Sequence, residues 1–282
     1  MKLSLSSHLF VYSELNSQSL QAIANSGIKD LELWLAEPHV PWREAEELAK
    51  FQRQLSDYDL SVASVHLPFY PSVPALVNDN ARWSVIDTNA SQRQISVANA
   101  KQGIAAAASL GAQSAVLHLG WQQDQWTDHS HGWAREAVIE MMACAAENSI
   151  KLLLENIISE GTRVSALMQM LDEIDPERRV GICLDLGHAN IEGDVAHELI
   201  TALPRLDHIH LHDNDGIQDS HLCPGSGSIN WRQVIDLLQE NGFSGFAALE
   251  LRDYSRGELS PQQLIESNLS SLPDLIKPWL KK

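Results

Sequence analysis

A chain of 282 residues, 44% hydrophobic and with a formal net charge of −17 at pH 7, is long enough to bury a large core and too acidic to resemble a general phosphate-backbone binder, because such binding rests on Lys and Arg. The charge argues against nucleic acid as a partner without excluding it, since bound divalent metals would cancel charge locally. No apolar run approaches the roughly 18 residues needed to cross a bilayer, and the amino terminus lacks the core and cleavage pattern of a signal peptide, so no membrane contact and a cytoplasmic location are expected.

Along the chain, short β-like runs alternate with amphipathic helical segments. Strands are predicted over residues 3–7, 30–35, 61–66, 114–119, 151–155, 180–184, 206–211 and 247–251. Helices are predicted over 19–26, 42–58, 91–110, 133–148, 163–174, 195–203, 231–241 and 261–276. Ser91 with Gln94, Asn230 with Gln233, and Ser260 with Pro261 and Gln263 read as helix starts. Eight alternating pairs imply a parallel α/β sheet closed into a (β/α)8 barrel, one domain over residues 1–282, with an open doubly wound sheet as the structural runner-up. Two long connections, 69–89 with Arg82 and Trp83 and 120–132 with Trp121, Trp126, His129 and His131, are expected at the mouth as lids, substrate walls or plain solvated loops. The charges from Arg43 to Glu47 read as a solvated helix face.

Alternation within each strand gives a sharper expectation, because one set of side chains must face the helices and the other the barrel interior. If Leu31, Leu33 and Leu35 face outward, Glu32 and Trp34 face inward. The same parity turns Ser64, His66, Val116, His118, Glu155, Cys183, Asp185, His208, His210, His212, Glu250 and Arg252 inward. Most of the ionisable members lie near the carboxyl end of their strand, where barrel enzymes build their sites.

The stretch from Val180 to Gly227 adds His188, Asp213, Asp215, Asp219 and His221. So many buried N and O donors are costly unless something positive lies among them, and a divalent metal is the natural occupant. His210 and His212 share a parity, so spacing leaves open which is a ligand, whereas His208 is expected a layer deeper. His8 and Glu32 are further inward candidates. Cys144, Cys183 and Cys223, odd in number and without a Cys-x-x-Cys pair, read as free thiols rather than ligands. Gly225 and Gly227 suit a tight turn near the site.

SVHLPF around His66, VLHLG around His118, LLLENI around Glu155, GICLDLGHANI around Asp185 and His188, HIHLHD around His210, DSHLCPGSGSINW around Asp219 and His221, and ALELR around Glu250 together resemble the xylose-isomerase-like TIM-barrel superfamily, which includes sugar isomerases and epimerases and endonuclease IV. The endonuclease IV pattern implies His66, His118 and Glu155 at a first zinc, Glu155 bridging to a second held also by Asp185, His210 and Glu250, and His188, Asp219 and His221 at a third. The tagatose-epimerase-like pattern implies one metal on Glu155, Asp185, His210 and Glu250.

The expected function is a metal-dependent sugar, sugar-phosphate or keto-sugar isomerase or epimerase. In it, Glu155 and Glu250 remove and return a proton through an enediolate, and one manganese, cobalt, magnesium or zinc ion polarises the carbonyl. Arg252 would hold substrate oxygens, and Trp34, Trp121 and Trp126 suit sugar faces. The alternative is a phosphodiesterase or phosphatase with up to three zincs. A non-catalytic metal or sugar-binding relative is a third reading, against which the paired Glu155 and Glu250 weigh. The early segments SSHLFVYSELNS and AEPHVPWREAEELAK lack the glycine-rich basic character of DNA-reading loops, which favours a small sugar-like molecule. A homodimer is the default expectation for assembly.

Overall fold

Leucine-rich and β-branched runs of four to six residues form the strands, and each is too short to bury its polar edges alone, so the sheet closes on itself. In the computed structural model, which describes every residue except Glu14, Arg256 and Lys282 and the backbone alone of Lys281, eight parallel strands pair in chain order into a closed barrel. They are β1 (Lys2–Ser6), β2 (Asp30–Trp34), β3 (Ser61–His66), β4 (Ser114–Leu117), β5 (Lys151–Glu155), β6 (Gly181–Asp185), β7 (Leu206–Leu211) and β8 (Phe246–Leu249). The β1–β8 seam, with Leu3 opposite Ala247 and Leu5 opposite Leu249, closes the ring.

Among the described residues ten α-helices surround it: α1 (Ser17–Asn25), α2 (Ala45–Asp57), α3 (Val73–Asp79), α4 (Ala90–Leu110), α5 (Asp128–Glu147), α6 (Val164–Ile174), α7 (Leu186–Glu192), α8 (Val195–Ala202), α9 (Trp231–Glu240) and α10 (Pro261–Ser271). Leu31, Leu33, Leu35, Ile182, Leu184, Ile209 and Leu211 all join the main core between barrel and helices. Inside the barrel, Val116, Leu153 and Cys183 form a separate small apolar plug. The inward residues one step further along β5 and β6, Glu155 and Asp185, therefore lie above that plug, toward the carboxyl ends. No helix among the described residues is long and apolar enough to cross a membrane.

Local differences from the sequence expectations have local causes. Helix α4 is capped by Asn89, whose side chain accepts from the backbone N–H groups of Ser91 and Gln92, not by Ser91. Helix α5 begins at Asp128, five residues before the expected 133, because Thr127 and Ser130 form a reciprocal capping box; His129 and His131 thus lie on a helix. The 69–89 connection contains α3, started by Ser72 with a proline in its first turn. The short α7 follows β6 directly and is capped by Asp185. Arg43 is not merely solvated: it pairs with Glu37 at 3.0 Å and its guanidinium lies 4.4 Å from the Trp42 ring centre.

Candidate metal centre

Four strand ends supply the floor of the site. Glu155 ends β5, Asp185 ends β6, His210 lies within β7 and Glu250 follows β8, and all four are buried. Nδ1 of His210 stands 3.2 Å from Glu155 Oε1, 3.2 Å from Glu250 Oε2 and 3.5 Å from Asp185 Oδ2. On the other edge of that ring, Nε2 hydrogen-bonds Glu32 Oε2 at 3.3 Å. A carboxylate only accepts, so Nε2 carries the hydrogen and a neutral His210 turns its Nδ1 lone pair toward three carboxylates. That arrangement repels itself unless a cation or an added proton lies among the four groups. Donors sharing one ion at about 2.1 Å each stand roughly 3.0–3.5 Å apart, so the spacing fits a divalent metal.

Around this floor, three histidines are oriented alike by the backbone. Nδ1 of His66 meets the Leu67 carbonyl at 3.1 Å, Nδ1 of His188 meets the Asn156 carbonyl at 2.8 Å, and Nδ1 of His221 meets the Glu250 carbonyl at 2.9 Å. Each Nδ1 therefore donates, and each Nε2 is left as a lone pair. For His66 that nitrogen lies 3.2 Å from Glu155 Oε2, with His118 Nε2 at 3.0 Å from the same oxygen. For His188 and His221 it lies 3.5 and 3.1 Å from Asp219 Oδ2. Acceptors facing acceptors again call for a cation or a proton, so the donor set fits additional metal sites as well as the floor.

Burial acts on these groups; at His118 it prevails over Glu155 and lowers the imidazole, whereas at Glu155, Glu250 and His188 the neighbouring charges reverse it. Burial would raise the Glu155 carboxyl, yet His210 and His118 hold it well below the usual carboxylate range. Glu250 is likewise drawn down to about 2 by His210 and His221 against its burial. Burial opposes charging of His188, but Asp185 and Asp219 raise it well above the ordinary histidine value. The cluster is thus built to hold positive charge among ionised carboxylates.

The family follows from the whole chain rather than from these residues alone. A family model described as a xylose isomerase-like TIM barrel matches residues 20–275. The chain belongs to that family. This xylose isomerase-like barrel is 28% identical over 262 residues to an uncharacterized protein of Methanocaldococcus jannaschii, covering 89% of this chain and 83% of that one. It is 24% identical over 239 residues to a probable endonuclease 4 of Symbiobacterium thermophilum, covering 77% of this chain and 80% of that one. A solved D-tagatose 3-epimerase-like protein superposes with a TM-score of 0.76 at 23% identity, over 96% of this chain and 97% of that one, which is a likeness of fold alone.

Above the floor this xylose isomerase-like barrel opens into a cavity of about 290 Å³, at the small end of ligand pockets, which run from roughly 300 to 1,000 Å³. Glu155 and Glu250 line it together with His118, His188, Asp219 and His221, as does Arg252. Trp34 and Trp121 stand in its wall with Phe69. Trp126 does not. Its Nε1 donates to Ser159 at 3.0 Å and its ring lies over Gly161, where a Cβ would fall 2.0 Å from it, so the expected third wall tryptophan instead pins the connection after β4 to the one after β5.

Sequence spacing left His210 and His212 as rivals, and the geometry separates them. His212 Nε2 donates to Asp185 Oδ2 at 2.9 Å and its ring stacks on His221 at 4.1 Å, so it lies between the floor and the His188–Asp219–His221 group. His208 is buried a layer down, with Nε2 3.0 Å from Glu32 Oε2. The sequence reading missed the part played by two organising residues, Asn156 and Asp213, the latter counted there only among the possible metal donors. Asn156 accepts from the Asp185 N–H at 2.7 Å and donates to its carbonyl at 3.0 Å. Asp213 gathers the N–H groups of Asn214, Gly225 and Ile229 and the Trp231 indole, holding in place the connection that carries Asp219 and His221. Their signal was weak because Asn and Asp beside a strand end are common in any turn.

Proposed function

We propose that this protein is a metal-dependent isomerase or epimerase of a sugar-like keto compound, a single barrel domain that moves a proton on the carbon beside a carbonyl. The observation that carries the reading is the meeting of Glu155, Asp185 and Glu250 on His210 Nδ1 at 3.2 to 3.5 Å beneath a small aromatic-walled cavity. Glu155, Asp185, His210 and Glu250 would hold one divalent ion. When bound, the ion supplies polarisation of the substrate carbonyl and charge stabilisation as the adjacent carbon loses its proton. Glu155 and Glu250 come from strands separated by two others around the ring, so one carboxylate takes the proton and the other returns it from a different side. The rings of Trp34 and Trp121 cover the apolar face of the sugar, and the buried floor keeps bulk water from the reacting carbon. The D-tagatose 3-epimerase-like neighbour agrees in fold with this chemistry.

A second reading, a multinuclear zinc phosphodiesterase, is favoured by one specific observation: the ligand atoms of His66, His118 and Glu155, and those of His212, Asp219 and His221, form further compact groups beside the floor. The relation to a probable endonuclease 4 agrees with it. Against it stand the net charge of −17 and a cavity suited to a small molecule.

Two measurements test the choice. Metal-loaded protein incubated with ketoses in deuterated water should place deuterium beside the carbonyl, and Glu250→Gln should abolish that exchange while ligand binding persists. Elemental analysis near one metal ion per chain accompanies this outcome. Two or three zincs per chain together with cleavage of an abasic-site duplex and no exchange on any ketose would replace the first reading by the second.

A further inference from the structure

One cation faces the cavity without an anion of its own. Arg252 is the single Lys or Arg in the cavity wall among the described residues. Its backbone N–H bonds the His221 carbonyl at 3.2 Å, which fixes where the side chain starts. The side chain itself takes part in no hydrogen bond or ion pair among the described residues, and its Nε is buried without a partner. The contrast with the other arginines that are not fully exposed is informative. Arg43 reaches Asn99, Arg82 reaches Gln123, Arg93 reaches the Asp87 carbonyl, Arg135 reaches Glu173 and Arg205 reaches Asp175. In a chain with 37 acidic and 20 basic side chains, Arg252 is set apart from these by a guanidinium that meets no acceptor at all among the described residues.

The neighbouring wall points the same way. His8, only 5% exposed, has a buried Nδ1 with no hydrogen-bond partner, and it packs against Trp34 at 4.2 Å and against His221 at 4.6 Å between ring centres. The indole N–H of Trp34 is also buried and unpartnered. The flank made by His8 after β1, Trp34 at the end of β2 and Arg252 after β8 therefore presents a guanidinium and two ring nitrogens that nothing among the described residues satisfies, and it adjoins the carboxylate floor, His8 lying close to Glu250 and His221. Unsatisfied buried donors are costly, and a ligand that accepts from them recovers that cost.

We infer that the substrate is an anionic sugar, carrying a carboxylate or a phosphate, and that Arg252, assisted by His8, binds this oxyanion. The inference rests on the proton-transfer reading of the same cavity. The carboxylate floor then takes the carbonyl and the adjoining Arg252 flank takes the charged group, so the sugar enters in one orientation. A guanidinium matches either oxyanion through paired N–H donors.

The test uses metal-loaded protein and matched probe sets, D-fructose, D-fructuronate and D-fructose 6-phosphate and the corresponding ketopentose series, with affinity read by calorimetry and exchange read in deuterated water. An anionic member should bind about tenfold to a hundredfold tighter than its neutral counterpart, and Arg252→Gln should collapse that ratio toward one, with Arg252→Lys recovering part of it. Preference for the uronate identifies a sugar acid, and preference for the phosphate a phosphosugar. Exchange on neutral ketoses with no anionic preference overturns the inference and leaves the proton-transfer reading standing. Arg252-dependent binding of an anionic member without exchange on any sugar does the reverse. If no probe binds, both fall.

Discussion

Glu32 Oε1 lies 3.1 Å from Nε2 of His210, on the edge of the ring turned away from Glu155, Asp185 and Glu250. Glu32 is itself fully buried and accepts from Ser64 Oγ at 2.8 Å. It therefore does not join the floor but sets how the floor's imidazole is turned and how basic its Nδ1 is. Partners of this kind are worth about tenfold to a hundredfold in metal affinity. Glu32→Gln, which keeps the volume and removes the charge, should weaken metal binding by that factor in a chelator competition while the far-ultraviolet circular dichroism stays that of the parent. Unchanged affinity would show that His210 needs no such support.

The connection between β7 and α9 is predicted to depend on one carboxylate. Asp213 Oδ1 accepts from the Asn214 and Ile229 N–H groups at 2.9 and 3.2 Å, and Oδ2 from the Gly225 N–H and the Trp231 indole at 2.9 and 2.8 Å. In Asp213→Asn an NH₂ group would face two N–H donors. The loss should be about 2–4 kcal/mol of stability by urea unfolding, with ligand binding in the cavity weakened as the connection carrying Asp219 and His221 shifts. A variant as stable as the parent would mean that the turn is held by its backbone alone.

Much of this site could be read from residue order because strand parity is a two-residue rule that a buried barrel enforces. Glu32, His66, Glu155, Asp185 and His210 all turn inward as alternation requires, and their outward neighbours Leu33, Val65, Leu154, Leu184 and Leu211 are buried in the surrounding core. What parity cannot express is distance along the barrel axis or direction within a layer. His210 and His212 share a face, and only the fold reveals that one turns its Nδ1 to three carboxylates while the other bonds Asp185. Trp126 looked like Trp121 in sequence because both lie on one connection, and the glycine that receives its ring, Gly161, is far away in the chain. Helix α3 went unread because a proline and a valine pair in a long connection carry too little periodicity to stand out.

A glycine tests how tightly the layers meet. At Gly187, in the first turn of α7, a Cβ would fall 1.9 Å from Cε1 of His212. Gly187→Ala must push that ring off Asp185, costing about 1–3 kcal/mol by overpacking and lowering both metal content and exchange activity. Gly132 in α5 has nothing within 4 Å of the same position, so Gly132→Ala should raise stability by up to about 1 kcal/mol through helix propensity and leave metal content alone. Equal behaviour of the two variants would contradict the close approach of α7 to His212.

Stability should also depend on pH through a histidine outside the candidate metal centre. His39 is 1% exposed, donates through Nδ1 to the Ser13 carbonyl at 2.6 Å, and has an Nε2 with no partner. Burial lowers its pKa to about 4, against the weaker upward pull of the Ser13, Ser7 and Phe10 backbone. The unfolded chain binds a proton here near pH 6.5 and the folded chain does not until about pH 4, so folding must exclude that proton in between. Stability is at its full value above the unfolded pKa and falls as pH drops through this window, the loss amounting to about 3 kcal/mol once pH reaches the folded value. In His39→Asn the amide can keep the bond to Ser13 while nothing titrates. Urea unfolding at pH 7, 6 and 5 should therefore show a shallower loss of stability in the variant than in the parent, by up to about 1.4 kcal/mol per pH unit. Parallel curves would mean that His39 accepts its proton without unfolding the connection around it.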